Sequence, residues 1–168
     1  TISFTRTYDS AGNAMYYNTD LLDKYDANTF LDDDVVTIEE ILSLDGKLDE
    51  GQYAINNALI EWVTLANVVN AGGDISDDAG NPTIHTDAMR SVVEQLKSVA
   101  DAGLMSPYGE DGYAMFQSGD VLFSTDGTWT STAHGSVEGL NFGVTNIYSV
   151  TPDKFTNRSS AHLFSLLN

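Results

Sequence analysis

The sequence predicts an α/β fold in which helices flank a mixed β-sheet. Segments of high β propensity alternate along the chain with segments of helical periodicity. Capping residues stand where the helical segments begin, and glycines stand where several of them end. The chain has 168 residues, 42% of them hydrophobic, which is enough for a single lobe with a buried core.

The first part of the chain is predicted to contain extended segments and then short helices. The extended segments are SFTRTY (3–8) and NAMYYN (13–18). The helices are DLLDKY (20–25) and IEEILSL (38–44). Asn18 or Thr19 is placed to cap the first helix, and Thr37 with Glu40 matches a capping box that opens the second. The acidic segment 26–36 between them is predicted to be a loop.

The middle of the chain is predicted to form two longer amphipathic helices, NNALIEWVTLANVV (56–69) and TDAMRSVVEQLKSVADAG (86–103). Apolar side chains recur at three- and four-residue spacing on one face of each. These are Ala58, Leu59, Trp62, Val63, Ala66 and Val69 in the first, and Met89, Val92, Val93, Leu96, Val99 and Ala100 in the second. Gly72-Gly73 ends the first helix, Thr86 caps the second and Gly103 ends it. Segment 74–84 between them is predicted to be a hairpin.

The last part of the chain is predicted to alternate helices and strands. The strands are VLFST (121–125), NFGVTNI (141–147) and AHLFSLL (161–167). The helices are DGYAMFQSG (111–119), closed by Gly119, and TWTSTAHGS (128–136). A polar loop, residues 151–160, precedes the last strand.

Charge and composition exclude several classes of partner. The formal net charge is −18, and the seven basic residues are scattered, so binding to nucleic acid or to an anionic membrane is not expected. The chain has no cysteine, no recognisable signal peptide, and no apolar run of the roughly 20 residues that span a bilayer. It starts at Thr1 in an extended segment and stops in an apolar one, which predicts a piece of a longer protein.

The sequence predicts no catalytic residue, no metal site and no cofactor. Asp74, Ser76 and Asp78 have the spacing that begins a calcium loop. Ala79 replaces the required glycine and His85 replaces the bidentate glutamate, so a polar hairpin tip is the better interpretation. No nucleophile elbow or glycine-rich phosphate loop is present, and the 25 acidic residues make chance carboxylate pairs unavoidable.

The placement of aromatic residues is more informative. Trp129 follows a strand and the polar turn 126–128, so all its neighbours are polar. Ligands bind α/β sheets beyond the carboxyl ends of strands, where both Tyr17 and Trp129 are expected to project. A ring exposed there can stack on the C–H face of a pyranose. Tyr16 and Trp62 also fit core positions, Trp62 because it lies on an amphipathic helix.

Several motifs, in order, resemble extracellular solute-binding proteins of ATP-binding-cassette sugar importers. MYYNTDLL (15–22) resembles their strand-to-helix signature. Residues 62–107 resemble the next stretch of that family, a Trp- or Phe-bearing helix, Ala-Gly-Gly, a hairpin and a helix ending in D-x-G-L. DGYAMFQSGDVLFSTDGTW (111–129) resembles the segment F-x-x-G-x-x-A-M-x-x-x-G-x-W, and NFGVTNI the strand after it. Together they cover essentially the whole chain.

The resemblance implies one lobe of a type II periplasmic-binding-protein fold, in which a sugar lies in a cleft between two α/β lobes. Residues 1–168 would be a single, carboxyl-side lobe, with hinge-crossing segments at 1–14 and 159–168. The implied partners are a carbohydrate ligand, the missing amino-side lobe and the membrane permease of the importer. The implied location is extracellular or periplasmic, with the parent protein lipid-anchored to the cell surface.

The resemblance also implies a set of ligand-binding residues: Trp129, Tyr17, Asp126, Gly127, Trp62 and His162. The rings of Trp129 and Tyr17 match positions that stack on sugar, and Asp126 and Gly127 line the same turn as Trp129. Trp62 lies in a helix that contributes to the cleft, and His162 lies in the return segment.

The chain departs from the family pattern at several positions. Thr19 replaces a lysine, Ile38 replaces a tryptophan, and the proline after FGV is missing. Two other functions stay open at this point: a carbohydrate-cleaving hydrolase domain that uses two of the carboxylates, and a sugar sensor or adhesion module built on the same lobe.

Overall fold

The computed structural model describes residues 5–33, 35–152 and 159–165, and the side chains of residues 12–33 and 35–152. The strands are β1 (Thr5–Asn18), β2 (Tyr53–Ile55), β3 (Val121–Gly127), β4 (Phe142–Thr145) and β5 (Ser159–Ser165). The helices are α1 (Thr19–Lys24), α2 (Ile38–Leu42), α3 (Ile60–Asn70), α4 (Asp87–Asp101), α5 (Gly112–Ser118) and α6 (Ser131–His134). None of these helices has the length and apolar character needed to cross a membrane.

The sheet is mixed, as the sequence predicts, and its strand order is β2-β3-β1-β4. Strands β2 and β3 run parallel, whereas β1 is antiparallel to both β3 and β4. The inner half of β1, Asn13–Asn18, supplies these pairings. Its outer half, from Thr5 to Gly12, pairs with β5 instead. This two-stranded ribbon coincides with most of the predicted hinge-crossing segments, whose crossing role stays a prediction.

The inner half of β1 separates two apolar clusters, because successive side chains of a strand point to opposite faces. Met15 is fully buried in the main core, together with residues of α1 to α4 and of β2 and β3. Tyr16 points the other way, into a small cluster with Ala14 and Phe116. The small cluster lies on the side of the sheet where α5 and α6 supply aromatic rings.

The predicted helix caps are confirmed. The Asn18 side chain caps α1 by accepting hydrogen bonds from the backbone N–H groups of Asp20 and Leu21, both at 3.0 Å. Both halves of the capping box between Thr37 and Glu40 are present at the start of α2. Such bonds satisfy N–H groups that the first turn of a helix leaves unpaired.

The first long helix begins later than predicted, because residues 56–59 form the connection that follows the short strand β2 (Tyr53–Ile55), a strand that the sequence did not predict. Helix α3 starts at Ile60, after Leu59 in a left-handed conformation. The predicted buried face is partly wrong, since Val69 is 46% exposed while Val68 is fully buried. Val93 of α4, also expected on a buried face, is 49% exposed.

Two loop predictions are refined by the structure. The segment 26–36 contains a 3-10 turn, Asn28–Leu31, that buries Phe30. The segment 74–84 turns back on itself as predicted, since the Asp77 N–H donates to the Asn81 carbonyl at 2.9 Å and the Thr83 N–H to the Ile75 carbonyl at 3.1 Å. It forms an isolated bridge between Ser76 and Pro82 but no regular strands. No cluster of three metal-ligating side chains occurs in the part of the chain that the structure describes.

One buried amide fixes the segment after β4 to α3. The Asn67 Nδ2 donates to the carbonyls of Val63 (3.0 Å) and Tyr148 (3.2 Å), and its Oδ1 accepts from the Val150 N–H (2.8 Å). Asn67 is fully buried, so water cannot replace these bonds.

Replacing this amide is expected to be costly. Asn67→Ala should lower the free energy of unfolding by about 3 kcal/mol, because it leaves buried backbone groups of Tyr148 and Val150 without partners. Urea denaturation followed by circular dichroism measures this. Asn28→Ala, which removes an exposed amide bonded to Asp23, is the matched control and should cost far less. Equal losses of unfolding free energy in the two variants would show that the Asn67 hydrogen bonds do not stabilise the fold.

Candidate functional site

One edge of the sheet collects the carboxyl ends of β2 and β3, because these two strands are parallel. Asn56 and Asn57 follow β2, and Asp126 and Gly127 end β3. Since β1 is antiparallel to β3, it brings Asn13 opposite Gly127 at the same edge. In α/β folds, ligands usually bind in the crevice beyond the carboxyl ends of the strands. We call this end of the sheet, formed by Asn13, Asn56, Asn57, Asp126 and Gly127, the β3 edge.

The buried side chain of Asn56, the residue that follows β2, binds β3 just before β3 ends. The Asn56 Nδ2 donates to Ser124 Oγ at 2.7 Å, and its Oδ1 accepts from the Thr125 N–H at 3.0 Å. Asn56 is 1% exposed. The clamp fixes the position of β3 one residue before Asp126, so the β3 edge is rigid on the β2 side.

Trp129 lies at the β3 edge and remains exposed. It sits in a 3-10 turn, Thr128–Thr130, that follows β3 directly. The benzo ring of its indole lies flat against Gly127: a Cβ added at Gly127 would be 2.1 Å from Cζ2 and 2.2 Å from Cη2. Even so, 56% of Trp129 is exposed. Gly127 therefore allows one side of the ring to rest on the backbone while the rest of the ring stays open to solvent.

The backbone beneath the ring is held from several directions. The Gly127 carbonyl accepts from the Tyr16 hydroxyl at 3.0 Å and from Thr130 Oγ1 at 2.9 Å. The Gly127 N–H donates to the Asp126 Oδ1 at 2.6 Å. Because the Tyr16 bond is buried and joins residues 111 positions apart, it fixes the Trp129 turn to the central strand. Tyr16 is thus a support for the site and also a core residue.

Asp126 lies beside the ring but on the other face of the strand. It pairs with Ala14, so its side chain shares a face with Ala14 and Tyr16, whereas the indole covers the Gly127 face. Partial burial raises the pKa of the Asp126 carboxyl, and the nearby Asp111 adds to this. The Gly127 N–H and His134 act in the opposite direction. The β3 edge therefore presents an apolar ring and a hydrogen-bond acceptor on its two sides.

The structure does not bring Tyr17 to this edge. Tyr17 pairs with Phe123, four residues along β1 from Asn13, which is about 13 Å at the usual strand rise. Its ring lies over Gly143 and packs against the main core. The inference that Tyr17 and Trp129 project from one edge is wrong, because β1 and β3 are antiparallel and their carboxyl ends lie at opposite edges.

The two remaining predicted site residues are Trp62 and His162. Trp62 is partly buried in the first turn of α3, where its backbone N–H donates to the Leu59 carbonyl at 2.9 Å. This turn follows β2, so it is close in sequence to Asn56 and Asn57. His162 pairs with Asp9 in the β1–β5 ribbon. The side chain of His162 lies outside the described residues.

Sequence reasoning missed the residues that follow β2. Asn57 is partly buried, and its N–H donates to Ser106 Oγ at 3.1 Å. Leu59 has φ 53° and ψ 26°, a left-handed conformation that costs a leucine about 1 kcal/mol or more. Strain of this kind concentrates at binding sites. The available signal was the pair Asn56-Asn57 after the short apolar stretch Tyr-Ala-Ile.

Comparisons with known proteins give one family and a shared fold. A family model described as "Bacterial extracellular solute-binding protein" matches residues 7–160. An ABC substrate-binding protein from Listeria monocytogenes, solved in complex with cycloalternan, has a similar fold, with a TM-score of 0.80 at 14% identity over 94% of this chain and 42% of its own. The cyclic alpha-maltosyl-1,6-maltose binding protein from Arthrobacter globiformis gives a TM-score of 0.78 at 16% identity over 98% of this chain and 44% of its own. No curated protein sequence matches. The chain thus spans less than half the length of either solved structure.

Filling the space beneath the ring is expected to displace it. Gly127→Ala should move the Trp129 indole off the backbone and shift its fluorescence to longer wavelength, measured in a Trp62→Phe background. The Gly127 backbone, at φ −78° and ψ 150°, suits any residue, so the effect would come from the ring alone. Gly12→Ala is the control, since its added Cβ has nothing within 4 Å. An unchanged spectrum in Gly127→Ala would contradict the stacked geometry.

Proposed function

The chain belongs to the bacterial extracellular solute-binding proteins, and from that premise we propose that it is the carboxyl-side binding lobe of a receptor for a sugar or oligosaccharide. The receptor delivers its ligand to an ATP-binding-cassette importer. Exposure of the Trp129 ring at the β3 edge is the observation that carries this proposal.

An exposed indole is unfavourable in water, and a ligand that covers it removes that cost. A large apolar ring gains about 25 cal/mol for each Å² that a ligand covers. A pyranose has an apolar C–H face that matches the flat ring, and hydroxyls around its rim that need polar partners. Asn57, just after β2, offers both donors and acceptors for such hydroxyls. The Asp126 carboxylate, on the opposite face of β3 from the indole, is an acceptor for a hydroxyl that extends past the end of the strand. This combination of one platform and a few polar groups is typical of small-molecule sites.

The two solved neighbours support a saccharide as the ligand class. One was solved with cycloalternan and the other is named for a cyclic maltosyl-maltose. Both share the fold of this chain over nearly all its length. At 14% and 16% identity they support the class of ligand but not the particular sugar.

The proposed mechanism is capture between two lobes followed by hinge closure. The ribbon of β1 and β5 leads out of the mixed sheet and is the proposed crossing between lobes. Closure is favoured only if the ligand contacts the two lobes together, since a ligand that binds both conformations equally shifts nothing. The closed receptor then docks on the permease. The parent protein acts outside the cell and is held there by a lipid anchor.

We propose that the lobe performs no chemistry. Hydrolysis of a glycosidic bond needs two carboxyl groups that face each other across the sugar, about 5 to 10 Å apart. Asp126 is the carboxylate of the β3 edge, and its electrostatic neighbour Asp111 is engaged as the cap of α5, accepting from the Ala114 N–H at 3.2 Å. One oxygen of the Asp111 carboxylate is therefore committed to capping α5.

Removing the ring should strongly weaken ligand capture by the full-length receptor. Trp129→Ala is expected to weaken binding of cyclic α-maltosyl-1,6-maltose, cycloalternan or a linear maltooligosaccharide by about 30- to 1000-fold, the range for a central aromatic anchor. Calorimetry measures this, after a screen of these probes on the unaltered receptor. Trp129→Phe keeps an aromatic platform and should retain most of the affinity. Unaltered affinity in Trp129→Ala would contradict the placement of Trp129 in the sugar site.

The 168-residue chain alone should bind sugar only weakly. Half of the cleft is missing, so each probe would lose its contacts with the second lobe and the closure that follows. Calorimetry on the chain is expected to give a dissociation constant of about 1 mM or weaker. A micromolar dissociation constant for the isolated chain would show that the second lobe is not required.

A further inference from the structure

A histidine is enclosed by aromatic rings directly beneath the Trp129 turn. His134 is fully buried. Its imidazole contacts rings at centroid distances of 4.8 Å for Tyr16, 4.9 Å for Tyr113, 5.0 Å for Phe116 and 5.9 Å for Phe142. These rings come from β1, α5 and β4, and we call them the His134 cage. The proposed sugar site does not use this group.

The cage suits a neutral imidazole and opposes a charged one. Neither Nδ1 nor Nε2 of His134 has a hydrogen-bond partner among the described residues. An imidazolium carries two N–H donors, and burying them unpaired is costly. Of the groups around the ring, Asp126 of β3 favours the charged form. The four neighbouring rings belong to two phenylalanines and two tyrosines, and none of them carries a carboxylate. Burial prevails and lowers the pKa of His134.

His134 is mechanically connected to Trp129. It ends α6, a four-residue helix that begins immediately after the 3-10 turn carrying Trp129. Tyr16, whose ring contacts the imidazole, donates its hydroxyl to the Gly127 carbonyl under the indole. Hydrating the imidazole requires α6 to leave the cage. A helix of a single turn has little stability of its own, so this opening is local.

We propose that His134 and its cage form an acid-sensitive latch that holds the Trp129 turn in place. At neutral pH the uncharged imidazole stays among the rings, and α6 and the turn are fixed. In mild acid the imidazole takes up a proton, leaves the cage with α6, and the indole moves off Gly127. Release of sugar in acid is the consequence for the receptor, and that consequence alone rests on the proposed function.

The direction of the pH dependence follows from linkage. The folded pKa lies below the ordinary value of 6.5 that an opened α6 restores. The opened form therefore binds more protons than the closed form. The closed form is fully favoured above about pH 6.5, and its advantage falls by up to tenfold for each pH unit below that value, until the folded pKa is reached.

Fluorescence of Trp129 tests the latch without any sugar. The chain has two tryptophans, so Trp62→Phe leaves Trp129 as the only indole. Between pH 7.5 and 4.5 its emission should show a one-proton transition with a midpoint below 6.5, and His134→Phe should abolish that transition. His85→Phe, at an exposed histidine, should leave it unchanged. A flat profile with Trp129 as the only indole, or a transition that survives His134→Phe, would overturn the proposal.

A substitution at Asp126 distinguishes titration of His134 from titration of the Asp126 carboxyl. Asp126→Asn removes the negative charge that favours the imidazolium, so the midpoint should move to lower pH. Loss of the transition in Asp126→Asn would identify the carboxyl as the titrating group and would overturn the latch. If His134→Phe fails to fold, proton NMR of the His134 Cε1–H in the unaltered chain decides. A His134 titration that is not accompanied by a change in Trp129 resonances would equally overturn it. Because no sugar is present, these failures would leave the receptor proposal untouched.

Discussion

The antiparallel register between β1 and β3 determines where every part of the candidate site lies. It places Gly127 opposite Asn13 and Asp126 opposite Ala14, so the two consecutive residues at the end of β3 face opposite sides of the sheet. A slip of one residue would exchange these faces. Gly127 and the indole over it would then move to the side that holds Tyr16 and His134, and the Asp126 carboxylate would leave that side.

Two adjacent tyrosines show how the register divides the molecule. Tyr16 and Tyr17 are chemically identical and neighbours in sequence, but alternation along β1 sends them to opposite faces. Tyr17 packs over Gly143 against the main core, while Tyr16 supports the Gly127 carbonyl and contacts His134. The site thus depends on Tyr16, which the sequence analysis did not include among the ligand-binding residues, because Tyr16 links the central strand to the turn that presents Trp129.

Features set by local chemistry were predictable, and features set by distant contacts were not. The caps at Asn18, Thr37 and Thr86 were visible in sequence, since each bond spans only two or three residues. The exposure of Trp129 followed from its polar neighbours. The Asn56 clamp binds Ser124 and Thr125, which lie 68 and 69 positions further along the chain, so no local pattern encodes it. Strand direction is equally non-local, and this is why Tyr17 was placed at the wrong edge.

In the proposed receptor, the Trp129 ring that rests on Gly127 at the end of β3 forms the floor of a saccharide site. A crystal structure of the full-length receptor with a bound cyclic tetrasaccharide tests this proposal. We expect a sugar ring lying flat against the exposed part of the Trp129 indole, with the second lobe closed over the other side of the sugar. A saccharide bound elsewhere on this lobe, with Trp129 facing bulk solvent in the closed receptor, would contradict it.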